Sequence, residues 1–156
     1  MADEYKFTNE PVEITVLGKT FKCRQLGPVA VLSFCQQKVR SIRIAELNQV
    51  LSELELSEQQ QVDLAMKAMN DIPRGDDLTS AAVEYMNSVE GFVACFHKAL
   101  SESGQEISVD EVFNLVDEAS AAEMAIVRGE IMGEETEKGE DEDEENPTQP
   151  EQEKNK

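Results

Sequence analysis

The chain has 156 residues, enough for one domain with its own core, and aromatic residues make up only 5% with no Trp, so that core has to be aliphatic, with Ala and Met. The formal net charge is −19; Glu134 to Lys156 hold 11 acidic and 3 basic side chains, which leaves −11 on the rest. Such a chain repels nucleic-acid phosphates and anionic membranes unless basic residues are concentrated somewhere. The only basic cluster, Lys38, Arg40 and Arg43, reads as a solvated helix end favoured by the dipole, so neither nucleic acid nor membrane is expected as a partner.

Residues 1–11 are polar, end in Glu10-Pro11 and read as a flexible lead-in, with Tyr5 and Phe7 as candidates for an extra edge strand. The opening Met1-Ala2-Asp3-Glu4 is acidic and lacks the apolar segment of a signal peptide, and no later run reaches transmembrane length. From Val12 the pattern changes. Val12, Ile14 and Val16 alternate with Glu13 and Thr15, Leu17-Gly18-Lys19 makes a turn, and Phe21 and Cys23 alternate with Thr20, Lys22 and Arg24 on the way back. Gly27-Pro28 stops the second strand, and Pro28 suits the first position of a helix, where its missing N–H has no partner to lose. Val29, Val31, Leu32, Cys35 and Val39 supply the apolar side of that helix. A lone hairpin is marginal in water, so this one must lie on helices supplied by the remaining chain.

The basic run Arg40-Ser41-Ile42-Arg43 predicts an interruption, followed by a second pattern at Ile44, Leu47, Val50, Leu51 and Leu54. Ser57 and Gln60 have capping-box spacing and start a helix at Glu58, which ends in a loop over 70–77. Leu78, Ala82, Tyr85, Met86, Val89, Phe92, Val93, Phe96 and Leu100 then follow spacings of three and four, predicting one long helix over 78–100 with Gly91 inside it, open to close approach by a neighbour, and Gly104 as its stop. Ser108 with Glu111, and Ser120 with Glu123, repeat the capping signature and predict two short helices, 109–118 and 121–132. Val109, Val112, Phe113 and Val116 face inward on the first. Met124, Ile126, Val127, Ile131 and Met132 belong to the second, with Gly133 as its end. Residues 134–156 contain no large apolar side chain and should be a disordered acidic tail. The expectation is therefore a mostly α protein: an N-terminal β-hairpin packed on five to six helices over 12–133, with a tail.

Reactive groups are few. His97 is the only histidine, and Cys95 two residues away on the same helix points about 200° from it, which argues against a Cys–His nucleophile. Cys23, Cys35 and Cys95 have no CxxC spacing and read as buried free thiols in a reducing compartment. No phosphate-loop, dinucleotide or nucleophile-elbow motif is present, and the acidic run at 140–145 lacks the Gly of an EF-hand loop. The reading is a non-enzyme with no cofactor or metal. What remains is a binding module whose adaptable surface draws on Met66, Met69, Met86, Met124 and Met132.

The segment Ile14-Thr15-Val16-Leu17-Gly18-Lys19-Thr20-Phe21-Lys22-Cys23-Arg24-Gln25-Leu26 resembles the opening hairpin of the tail assembly chaperones of long-tailed bacteriophages. Ile107-Ser108-Val109-Asp110-Glu111 with Leu115-Val116-Asp117-Glu118-Ala119 is similar to their closing helices. The resemblance covers most of 12–133 and implies an all-helical body that binds the tape measure protein in the host cytoplasm, keeps it soluble and is absent from the mature virion. It also implies a longer, frameshifted form that recruits tail tube protein; self-association is a further expectation. On this reading the apolar faces of helices 79–101 and 121–132 form the partner-binding groove, with Met86, Val93, Met124, Ile126, Val127, Ile131 and Met132 as contact residues. Two rivals are a structural virion protein, such as a tail terminator or head–tail adaptor, and an acidic mimic of DNA.

Overall fold

A computed structural model of the chain describes residues 10–133. The expected edge strand at Tyr5 and Phe7, the lead-in before residue 10 and the acidic tail lie outside them. Among the described residues the chain is an N-terminal antiparallel hairpin followed by six helices. Strand β1 (Val12–Val16) pairs with β2 (Lys19–Cys23), Val12 opposite Cys23 and Val16 opposite Lys19. Lys19 therefore belongs to the strand, and the turn is the two residues Leu17-Gly18. Both have positive φ, 50° and 74°, as a type I′ turn requires. Leucine is a costly choice for that backbone, and its N–H finds a partner far along the chain, donating to Glu123 Oε1 at 2.9 Å.

One face of the hairpin, Ile14, Val16 and Cys23, is fully buried. Its exit is stitched to the helices through backbone: Arg24 N–H donates to the Ala99 carbonyl at 3.0 Å, and Leu26 and Gly27 N–H both donate to the Ile131 carbonyl at 2.9 and 3.1 Å. The carbonyls at the ends of two helices, which have no intrahelical partner, are thus satisfied by the segment that launches the first helix.

That helix, α1 (Pro28–Glu53), runs 26 residues without a break. The interruption expected at Arg40–Arg43 does not occur. No Gly or Pro follows Pro28 in this stretch, basic side chains are good helix formers, and Arg43 pairs with Glu46 one turn on at 3.0 Å. The basic cluster is consequently mid-helix rather than at a helix end. Val29 is 83% exposed rather than part of the packed face; only Val31, Cys35 and Val39 are buried. Helix α2 (Glu58–Asn70) starts at the expected capping box on Ser57 and Gln60, and none of its residues is buried.

The single helix expected over 78–100 is two: α3 (Gly75–Asn87) and α4 (Val89–Glu102), separated at Ser88, whose φ of −76° and ψ of 159° are extended. Ser88 Oγ accepts from Gly91 N–H at 3.0 Å and caps α4. Gly91 is what allows the corner: a Cβ there would lie 1.8 Å from the Tyr85 carbonyl oxygen. Helix α3 also begins earlier than expected, so Gly75, Asp76 and Asp77 form its first turn, with both acids at the positive end of the dipole. Helix α4 closes in a Schellman motif, Gln105 N–H to the Leu100 carbonyl and Gly104 N–H to that of Ser101, both 3.1 Å.

Helices α5 (Val109–Glu118) and α6 (Ala121–Met132) carry both predicted capping boxes, and Gly133 ends α6 in the left-handed conformation at φ 71°. On α5 the inward face is Val112 and Leu115. Val109 and Phe113, expected inside, are 51% and 44% exposed. Helix α4 is the hub: it buries seven residues and packs against α1, α3, α5, α6 and β2.

Candidate functional site

Three elements converge on one cleft. Helix α3 contributes Met86, α4 contributes Phe92 and Cys95, and α6 contributes Arg128, Ile131 and Met132, with Val31 of α1 at the base; the space between them is about 170 Å³. A groove beside it is lined by Met124, Ala121 and Ala125 and shares Phe92 and Arg128 with the cleft. The Arg128 guanidinium lies over the Phe92 ring, 5.5 Å from its centroid, and donates to Asn87 Oδ1 at 3.2 Å. Phe92 in turn meets Phe96 at a centroid distance of 6.2 Å.

The cleft lies between α6 and residues of the 79–101 stretch, and part of the expected residue set lines it. Met86, Ile131 and Met132 do; Met124 lines the adjoining groove. Val93 and Val127, at 3% and 1% exposure, are core residues instead. Val127 is covered because α6 packs on both β1 and α4, and Val93 because α4 packs on four helices and β2. Ile131 is also only 2% exposed and touches the cleft from beneath. Ile126 is 53% exposed and lines neither depression. Sequence reasoning left Val31, Phe92, Cys95 and Arg128 out of the set, and of these Arg128 is the one charged residue. It stands four residues from both Met124 and Met132, so all three share one face of α6, and that spacing was readable.

A second apolar surface lies away from the cleft. Val62, Met66 and Met69 of α2, at 52%, 63% and 54% exposure, fall at i, i+4 and i+7. Ile42, Ile44 and Val50 on the outer half of α1 are also exposed. Leu64, Ala65 and Ala68, on the other side of α2, are half-buried.

His97 and the cysteines have separate surroundings, apart from one thiol pair. His97 Nε2 is 3.0 Å from the Ile107 carbonyl, which makes it the N–H donor to that oxygen and fixes the ring on the loop before α5. All three cysteines are buried free thiols. Burial, with Glu130 adding to it, pushes the Cys23 thiol up to about 12. Cys35 and Cys95 face each other at 3.6 Å across α1 and α4; the contact between the two sulfurs lowers Cys35 and, with burial, raises Cys95. Among the described residues no three His, Cys, Asp or Glu side chains are grouped to hold a metal ion, and no helix is long and apolar enough to cross a membrane. What the arrangement offers is an apolar, sulfur-bearing cleft with one cation on its rim. No protein-family model, curated protein or solved structure matches this chain.

Proposed function

We propose that this chain is a non-catalytic tail assembly chaperone of a long-tailed bacteriophage, acting in the host cytoplasm to hold apolar helical segments of the tape measure protein while a tail is built. The observation that carries this reading is the open cleft between α3, α4 and α6, with apolar walls and the side chains of Met86 and Met132 on them. Unbranched thioether side chains re-pack at little cost, which suits a partner presenting many different apolar residues in succession. The Val62–Met66–Met69 stripe adds a second face at the spacing by which one helix docks on another. A net charge of −19 supports solubility of a loaded complex and keeps complexes apart. In this scheme a longer frameshifted product recruits tail tube protein.

The test is co-expression with the tape measure protein, reading its soluble fraction and its co-purification with this chain. Met86→Glu and Met132→Glu place charge in the cleft, and Met66→Glu places it on α2. Loss of capture in the first pair, in variants that keep their helical circular dichroism, supports the cleft as the site; full capture by both removes it. Recovery of this chain in stoichiometric amount from purified particles replaces the chaperone with a structural virion protein.

A further inference from the structure

We propose that Cys35 and Cys95 are a thiol pair built to close into a disulfide by exchange with a small organic disulfide that enters through the cleft. Their sulfurs are 3.6 Å apart, in direct contact, and closing to a bond asks for a further approach of about 1.6 Å to the ~2.05 Å of an S–S bond. They stand on different elements, α1 and α4, and only one has a route to the outside: Cys95 lines the cleft of about 170 Å³, whereas Cys35 is fully buried behind it. That division supplies an entry sulfur and a resolving sulfur. Cys23 provides the contrast, since it is equally buried but turns its sulfur toward the Arg24 carbonyl at 3.8 Å.

The reaction balances without any other reagent. Cys95 loses its thiol proton and attacks one sulfur of the incoming disulfide; the S–S bond of the reagent breaks, and its other half leaves as a thiolate that takes up that proton. Cys35, losing its own proton, then attacks Cys95 Sγ and expels the second half in the same way. The protein loses two hydrogens and two electrons, and the reagent becomes two thiols. Burial disfavours both thiolates, so exchange is slow, but burial does not alter the pairing. The bond encloses the 60-residue separation between the two cysteines, which includes the outer half of α1, all of α2 and all of α3, and so restricts the unfolded chain and raises the thermal midpoint.

The experiment uses the full chain, reduced and desalted, incubated with 2-hydroxyethyl disulfide and quenched in acid over a time course. The expected result is an intact mass lower by two hydrogens and a single thiol titratable in denaturant. The peptide map joins Cys35 to Cys95, and the melting temperature lies above that of the reduced protein. Cys23→Ala should form the same bond and leave no titratable thiol, and Cys95→Ala should form no intramolecular bond. Three titratable thiols at the end of the time course, a reagent adduct that persists on Cys95, or a bond involving Cys23 each overturns the proposal. The map of the unmutated chain decides the matter even if a cysteine variant fails to fold.

Discussion

Helices α2 and α4 are 13 and 14 residues long, and both carry apolar side chains at helical spacing, yet α4 buries seven residues and α2 buries none. The rest of the molecule follows that division. A body made of the hairpin, the first half of α1, α3, α4, α5 and α6 holds every fully buried side chain among the described residues. An arm made of α1 beyond Val39 and of α2 holds none. The lesson is that an amphipathic pattern records a need for cover without recording where the cover comes from. In α4 it comes from four other helices and a strand of the same chain; on the outer face of α2 the described residues supply none.

The sharpest way to break the comparison is to truncate large side chains on each side of it. Phe96→Ala empties a fully buried site and should cost about 3–5 kcal/mol of unfolding free energy, while Met66→Ala on the arm should stay within about 0.5 kcal/mol; urea titration of both reads the contrast directly. If the two losses are alike, the arm is part of the cooperative core after all. Next comes Gly91→Ala, whose Cβ meets the Tyr85 carbonyl at 1.8 Å. Backbone cannot yield as a side-chain tip does, so the α3–α4 corner must open, with an expected loss of about 3 kcal/mol and weakened ring packing in near-ultraviolet circular dichroism.

The helix caps sharpen the comparison at a smaller scale. Ser57 on α2 and Ser120 on α6 make the same capping box. Each Ser→Ala change removes about 1 kcal/mol of helix stability. Only Ser120→Ala should lower the global transition by that amount. Ser57→Ala should appear in hydrogen exchange as faster α2 amides, with the melting temperature nearly unmoved, because the arm opens locally before the body unfolds. The smallest effect is electrostatic. The Ser120 and Leu17 amides, with the Ser120 hydroxyl, hold the Glu123 carboxyl below its ordinary value, and the amide and hydroxyl of Ser108 do the same to Glu111. A depressed carboxyl contributes stability that is present above its unfolded value and is lost as pH falls through its folded value. Glu123→Gln should therefore lower the neutral plateau slightly and leave the stability at low pH nearly as it was, so that the acid limb is flatter.

Local chemistry was legible wherever it is self-contained. Ser57, Ser108 and Ser120 announce their helices because a capping box is closed within four residues, and the turn at Leu17-Gly18-Lys19 was legible for the same reason, one residue too long. Reading failed where two local signals competed. The charge of Arg40 and Arg43 suggested a break, but charge alone does not interrupt a helix, and α1 runs on. Between Tyr85 and Phe92 the apolar spacing continues across a real corner, so periodicity concealed Ser88. The candidate site was legible as a pair of helices and not as a set of residues. Met86 and Met132 reach the cleft, while Val93 and Val127, which belong to the same apolar stripes, point into the core.

From residue order alone came the hairpin, the capped starts of α2, α5 and α6, the Gly104 and Gly133 stops and the aliphatic character of the core, because each depends on neighbours within about one helical turn. Tertiary structure alone decided that Cys35 meets Cys95, that Gly91 lies under the Tyr85 carbonyl, that Leu17 is held by Glu123, and that α2 stands outside the body. These depend on which apolar faces find each other first and fill the available volume. Among the described residues, that competition among all the helices at once leaves the outer stripe of α2 exposed.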